Sequence, residues 1–236
     1  QTAWLKAHYP AEFMAAVLSS DMDNTDKVVF FLNDCKNLKL KVIPPDVNSS
    51  NYQFTVNAGG EIVYGLGAIK GVGQAALELI LAARSKQGPF KDLFDLCKRV
   101  DNRKVNKRVL EALIYAGALD KIGPNRASQI ATLGIAMRAA EQYEKHFASG
   151  QIDLFSALSP EENDAAFAYT VVADWTSAER LQHEKDVLGF YLNGHPIEEF
   201  IAELNEFVST SISELASEVN KNVLIAGFVR NLKIVN

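Results

Sequence analysis

The sequence predicts a mainly α-helical protein with a small β insertion near residue 50 and short strands at the C-terminal end. Residues 71–145 show helical apolar periodicity, interrupted only where glycine or proline punctuates the chain. Short runs typical of strands occur within residues 39–64 and again at 223–236. The 236 residues are 48% hydrophobic and 22% charged, which is an ordinary globular composition.

The N-terminal third of the chain is predicted to hold two helical segments followed by the β insertion. Residues 1–20 read as helix broken by Pro10. Asn24 or Thr25 is expected to cap a second helix that runs through Leu38. A short strand over residues 39–43 follows, and residues 52–56 and 61–64 are expected to form a hairpin around a glycine turn.

The remainder of the chain is predicted to be helical up to its last residues. Residues 71–145 are divided at Gly88, Gly117 and Gly123, and a less regular acidic stretch follows from residue 148 to about 176. A further helix is expected to end at Gly194, and another spans residues 197–208. Residues 223–236 read as one or two strands.

The distribution of charge is more informative than the net charge of −5. Six of the eleven residues from Lys98 to Arg108 are basic, whereas residues 146–179 contain no lysine or arginine. No apolar run approaches the length of a membrane span, and no signal peptide is recognisable. The two cysteines, Cys35 and Cys97, lie in apolar helical patterns and are expected to be reduced core thiols of a cytosolic protein.

A glycine hairpin that runs directly into an apolar helix is the most informative motif. It consists of Lys70, Gly71, Val72 and Gly73. Its glycines allow a tight turn, and the amides of the turn and of the new helix lack intrahelical acceptors. With Lys70 and the helix dipole beside them, these amides suit a phosphate backbone, without reading any base. The pattern resembles a helix-hairpin-helix motif.

A degenerate second hairpin is predicted at Ala116, Gly117 and Ala118, after a helix that carries basic residues on its polar side. The two hairpins together would form a tandem unit with one hairpin on each DNA strand. The basic residues assigned to this DNA-binding surface are Arg103, Lys104, Lys107 and Arg108.

A third motif lies in the acidic stretch, where adjacent apolar residues are expected to be exposed. It consists of Gln151, Ile152, Asp153, Leu154 and Phe155. An exposed Leu-Phe pair preceded by a glutamine is typical of a peptide that docks into a partner's groove. The alternative is a loop that folds back on its own core.

With these residues in view, the chain resembles the alpha subunits of bacterial DNA polymerase III, the C-family replicative polymerases. The resemblance runs along the whole sequence. It assigns residues 1–64 to the end of the fingers domain, 65–147 to a tandem helix-hairpin-helix domain, 148–176 to an exposed clamp-binding segment, 177–222 to a helical linker and 223–236 to the start of an OB domain. On this basis the sequence is expected to be an excerpt from a larger protein.

The resemblance also implies which functions belong to this part. The parent enzyme is a DNA-directed DNA polymerase whose catalytic carboxylates and Mg²⁺ lie in a palm upstream of Gln1. This part is expected to hold no catalytic residue, metal or cofactor, and to be inactive alone. The implied partners are duplex primer-template DNA, the sliding clamp (beta subunit) and other holoenzyme subunits, in the bacterial cytoplasm and without a membrane.

Other interpretations of the same residues remain open or fail on spacing. A base-excision glycosylase would use Asp92, about 20 residues beyond the hairpin, and a helical interaction module would bind no DNA. A dinucleotide-binding loop at residues 65–71 would need a strand after the following helix. Residues 21–26 resemble the start of a calcium loop but lack the required glycine and glutamate, and the four histidines are too dispersed for zinc.

Overall fold

The computed structural model describes residues 1–148, 168–192, 194, 196–227 and 229. Within these residues the chain folds into nine α-helices and one three-stranded sheet, with short 3-10 helices between them. The mainly helical fold class predicted from the sequence is confirmed.

Three helices form the N-terminal part, two within the predicted segment 1–20, on either side of its break at Pro10, and one in the predicted second segment. They are α1 (Thr2–His8), α2 (Pro10–Ser20) and α3 (Thr25–Asn37). Pro10 begins α2, where its missing N–H is not needed. The α3 cap is Asn24, whose side chain accepts a hydrogen bond from the Lys27 N–H at 3.2 Å.

The small sheet contains the predicted hairpin. Its strands are β1 (Val42–Ile43), β2 (Thr55–Val56) and β3 (Ile62–Val63), in the order β1-β3-β2. β3 pairs antiparallel with β2 and parallel with β1. The Ser19 hydroxyl of α2 accepts from the Phe54 N–H at 3.1 Å and so ties the sheet to α2.

The second helical part follows a 3-10 helix over Leu66–Ala68. It contains α4 (Gln74–Gln87), α5 (Leu93–Arg99), α6 (Lys107–Tyr115) and the long α7 (Arg126–Ala148), against which α5 and α6 pack. One continuous apolar core runs from α2 through α7. It includes Cys35 and Cys97, which are free thiols whose pKa values burial raises to about 11 and about 12 respectively.

An extended strap over residues 168–176 runs back along the first half of α7. The Tyr169 hydroxyl accepts from the Leu93 N–H at 3.0 Å, and the N–H groups of Thr170 and Val172 donate to Thr132 and Ser128 at 2.9 Å each. These contacts fix the strap to the second helical part and lead directly into the next helix.

That helix, α8 (Ser177–Leu188), begins at a capping box formed by Thr176 and Glu179. The predicted end at Gly194 is wrong, because Gly189 already adopts the left-handed conformation and its N–H bonds back to the Lys185 carbonyl. The last helix is α9 (Ile201–Phe207), preceded by a 3-10 helix over Glu198–Phe200 and followed by another over Ile212–Ser217.

The C-terminal strands stay a prediction. Residues 222–227 have no regular secondary structure, and residues 230–236 lie outside the described part of the chain. Among the helices that the structure does describe, none combines the length and the apolar character needed to cross a bilayer.

Candidate nucleic-acid interface

The first hairpin stands between the 3-10 helix and α4. Gly71 has φ +87°, a left-handed conformation that side chains disfavour. The Val72 N–H donates to the Ile69 carbonyl at 3.1 Å, and the Val72 side chain is buried in the core. Burying the valine leaves Lys70, Gly71 and Gly73 exposed around it. The turn therefore presents its backbone to solvent.

Several amides of this turn are unoccupied. Within the described part of the chain, the N–H groups of Gly71, Gly73, Gln74 and Ala75 donate to no acceptor. All four residues are exposed. They surround the positive end of the α4 dipole, and Lys70 beside them forms no ion pair with any described residue. The arrangement is a ready binding site for an anionic oxygen, which would accept hydrogen bonds from these amides.

Two other helices hold the first hairpin in place. The Lys70 N–H donates to the Val187 carbonyl of α8 at 2.8 Å. On the other side, a Cβ added to Gly71 would lie 3.9 Å from the Cβ of Ala112 in α6. The hairpin thus begins at a backbone hydrogen bond to α8 and lies close to α6.

The start of α6 repeats the pattern of the first hairpin. Residues 103–110 have the same order of exposed and buried positions as residues 70–77. Val105 is buried like Val72, and Asn106 caps α6 in the position that Gly73 holds at α4. Asp101 closes the turn, because its carbonyl accepts from the N–H groups of Lys104 at 3.0 Å and Val105 at 2.8 Å.

The amides at this second turn are also available. The Asn106 side chain accepts from the Val109 N–H at 3.2 Å. The N–H groups of Asn106, Lys107 and Arg108 donate to no acceptor among the described residues. The structure therefore contains two similar helix N-termini, at α4 and at α6, each with exposed and unbonded amides.

The four predicted basic residues surround the second turn and are all exposed: Arg103, Lys104, Lys107 and Arg108. Two of them have carboxylate neighbours, Arg103 with Asp101 at 3.2 Å and Lys107 with Glu111 at 3.6 Å. Hydrogen bonds from the backbone and side chain of Arg103 lower the pKa of Asp101. Lys104 and Arg108 form no ion pair within the described part of the chain.

The basic block also contains a structural arginine. The Arg99 side chain is only 7% exposed, and it donates to the carbonyls of Ala83 and Gly88 at 2.7 Å each and to Asp95 at 3.0 Å. It fastens α5 to the end of α4 and is not available to a ligand. The charge run is thus divided between a packed arginine and an exposed basic surface.

The structure places the predicted second hairpin differently. Ala116, Gly117 and Ala118 are buried, and their N–H groups donate to Ala112, Ile114 and Leu113 carbonyls at 2.9–3.0 Å. Bonded and buried amides cannot reach a phosphate, so these three residues offer no donors to one. The unbonded amides of this region lie instead at Asn106, Lys107 and Arg108. The sequence signal was a valine followed by a helix cap, with asparagine in place of glycine.

The turn at Gly117 has a packing role instead. Gly117 has φ +79°, and a side chain there would collide with the guanidinium of Arg126. Arg126 donates to Asp120 through Nε at 2.8 Å and Nη2 at 2.7 Å, and to Glu184 of α8 through Nη1 at 2.9 Å. With a further bond from Nη1 to the Tyr115 carbonyl of α6 at 3.2 Å, these contacts join α6, α7 and α8.

Two rival interpretations lose their structural basis. The Asp92 carboxylate caps α5 by accepting from the Asp95 N–H at 2.7 Å, which is a structural task rather than that of a glycosylase base. α4 is followed by α5 and not by the strand that a dinucleotide-binding fold needs.

No group of histidine, cysteine or acidic side chains among the described residues could hold a metal ion. The pentapeptide Gln151–Phe155 lies outside the described residues.

Comparison with known proteins agrees with this geometry. Residues 39–129 match a family model described as a helix-hairpin-helix motif. A protein of Vibrio cholerae named DNA polymerase III subunit alpha is 51% identical over 230 residues, which cover 97% of this chain. This chain is homologous to a segment of DNA polymerase III subunit alpha. Relatives with the same name in Escherichia coli K12 and Pseudomonas aeruginosa are 51% and 47% identical over 208 and 251 residues, covering 88% and 100% of the chain.

The match concerns only one segment of these subunits. The chain spans about a fifth of the length of its relatives, 20% in the Vibrio cholerae alpha subunit and 18% in that of Escherichia coli. The helix-hairpin-helix region lies inside this alpha-subunit segment, and it includes both turns with unbonded amides.

Proposed function

We propose that this chain is the part of a replicative DNA-directed DNA polymerase that grips duplex DNA by its phosphates. The proposal rests mainly on one observation: the same structural feature, an exposed turn with unbonded amides, occurs at the starts of both α4 and α6. The helix-hairpin-helix match and the alpha-subunit relatives support it.

The donors that the two turns share are main-chain N–H groups, which suit the oxygens of a phosphate backbone. Main-chain N–H groups and helix dipoles bind phosphate without regard to sequence. Lys70 at one turn, and Lys104 and Arg108 at the other, add full charges that are not paired within the described residues. Binding of this kind is independent of sequence and weakens steeply as salt rises.

Within a complete polymerase, this segment supplies binding rather than chemistry. We assign residues 1–64 to the end of the fingers and residues 223–236 to the start of an OB domain. The nucleotidyl transfer with Mg²⁺ belongs to a palm outside this chain, in the bacterial cytoplasm. The segment by itself is therefore proposed to have no polymerase activity.

A second contact, to the sliding clamp, is assigned to Gln151, Leu154 and Phe155. Its support is the sequence alone, an apolar pair in an acidic stretch between α7 and the strap. Tethering to a ring around DNA raises the effective concentration of the polymerase at its primer. Weak, salt-sensitive contacts at α4 and α6 would then suffice for processive synthesis.

The test of the duplex grip is the affinity of the chain for two unrelated duplexes, measured by fluorescence anisotropy at several salt concentrations. K70Q and the double variant K104Q/R108Q should weaken binding to both duplexes equally. Each lost phosphate contact should reduce the salt slope by about one unit. K6Q removes the same charge from α1, outside the proposed interface, and should bind like the wild type. A loss confined to one duplex sequence would contradict a phosphate grip.

The test of the clamp contact is a titration of the chain with the bacterial sliding clamp. Replacing Gln151, Leu154 and Phe155 by alanine should abolish clamp binding, because the anchor side chains are removed, and should leave duplex affinity unchanged. Clamp affinity that survives the triple substitution would refute the assignment.

A further inference from the structure

We propose that Glu184 of α8, which lies in neither turn, is a positioning residue for the first hairpin. The inference rests on the proposed duplex grip and extends it to a residue that no DNA need touch. The argument follows a chain of contacts from Glu184 through α8 to the backbone of Lys70.

Glu184 is a fully buried charge with a defined partner. Its side chain has 0% exposure, that of Arg126 has 6%, and Oε1 lies 2.9 Å from Nη1. A charge buried in this way is costly unless it keeps its partner and its geometry. Arg126 is fixed in turn by Asp120, with two contacts of 2.7 and 2.8 Å. Arg126 Nη1 also donates to the Tyr115 carbonyl at the end of α6 at 3.2 Å, so the ion pair sets where α8 lies relative to α7 and α6.

One helical turn after Glu184, the backbone of α8 meets the first hairpin. The Val187 carbonyl accepts the Lys70 N–H at 2.8 Å, which fixes the residue that begins the turn. Gly71 next to it lies close to α6, because a Cβ added at Gly71 would be 3.9 Å from the Cβ of Ala112. The free amides of Gly71 and Gly73 are thus aimed by the spacing between α6 and α8. Arg126, Asp120 and Glu184 set that spacing.

Replacing Glu184 by glutamine tests the role of its charge without changing the shape of the side chain. E184Q keeps the side-chain volume and removes the negative charge, while Arg126 keeps its bidentate contact with Asp120. α8 should then hold its helical structure but lose its fixed register, and the Lys70 amide should exchange its hydrogen faster. E203Q is the matched control, because it makes the same change at an exposed position of α9.

The experiment is a double-mutant cycle on duplex affinity with the wild type, K70Q, E184Q and the combined variant, at a temperature where circular dichroism shows all four folded. E184Q alone should weaken binding about fivefold, and adding it to K70Q should cost less than about twofold more, since both changes disable one turn. Hydrogen exchange at the Lys70 amide is measured in parallel.

The outcomes separate positioning from general support of the fold. Losses that multiply in the combined variant, or a Lys70 amide unaffected by E184Q, would overturn the inference and leave the duplex grip intact. A wild type that binds no duplex would refute the grip itself, and the exchange rate would still test the role of Glu184. Should E184Q not fold, E184D keeps the charge, withdraws it by one methylene and is expected to speed the same amide exchange.

Discussion

At the scale of single residues, the interface depends on which side chains are absent. Gly71 reaches a left-handed turn, and Val72 next to it is buried so that the turn faces outward. In the second turn, Val105 is buried in the same way and Asn106 replaces glycine as the helix cap. A small or capping residue after a buried valine is thus the local requirement for an exposed amide cluster.

Replacing Gly117 and Gly134 by alanine should change the stability of the protein in opposite directions. G117A should destabilise the protein by about 2 kcal/mol, because alanine is strained at a left-handed φ and its methyl group would displace Arg126. G134A lies inside α7, where the nearest atom to a new Cβ is Arg138 Nη1 at 3.8 Å. It should stabilise by about 0.5–1 kcal/mol, because alanine favours helix.

Thermal unfolding of both variants, followed by circular dichroism, measures these effects against the wild type. A G117A protein as stable as the wild type would show that Arg126 does not need the space above residue 117. The buried network around Arg126 would then not restrain α6.

At the scale of elements, the helices were predicted from the sequence, whereas the second turn was missed although its signal, a valine followed by a helix cap, was present. Apolar periodicity, together with glycine and proline as helix breakers, predicted α2 to α7. Asn24, as a helix-capping residue, predicted the start of α3. The second turn was missed because glycine was used as the signal for a hairpin. Gly117 is a helix end packed on Arg126, whereas Asn106 caps the helix that exposes its amides.

The end of α8 shows the same limit of local patterns. Apolar residues continue past Leu188, so periodicity alone extended the helix to Gly194. Gly189 ends it earlier, where a side chain would collide with Thr25 of α3. The left-handed glycine at position 189 is itself a local stop signal, which the apolar residues after it outweighed in the prediction.

At the scale of the whole molecule, one core supports both turns and the strap that returns from the acidic stretch. The strap binds α7 through Thr170 and Val172, and α8 continues from it to the first hairpin. Along the chain, the proposed clamp-binding stretch lies between the end of α7 and the strap.

The most direct test of the central claim is to titrate the isotope-labelled chain with a DNA duplex of arbitrary sequence and to follow the backbone amide resonances. The amides of Gly71, Gly73 and Gln74 and those of Asn106, Lys107 and Arg108 should shift together, because both turns are predicted to donate to phosphates. The buried amides of Ala116, Gly117 and Ala118 should not move. The account would be contradicted if only the amides of residues 116–118 shifted. It would also be contradicted if the amide resonances of both turns stayed unchanged when the duplex is added.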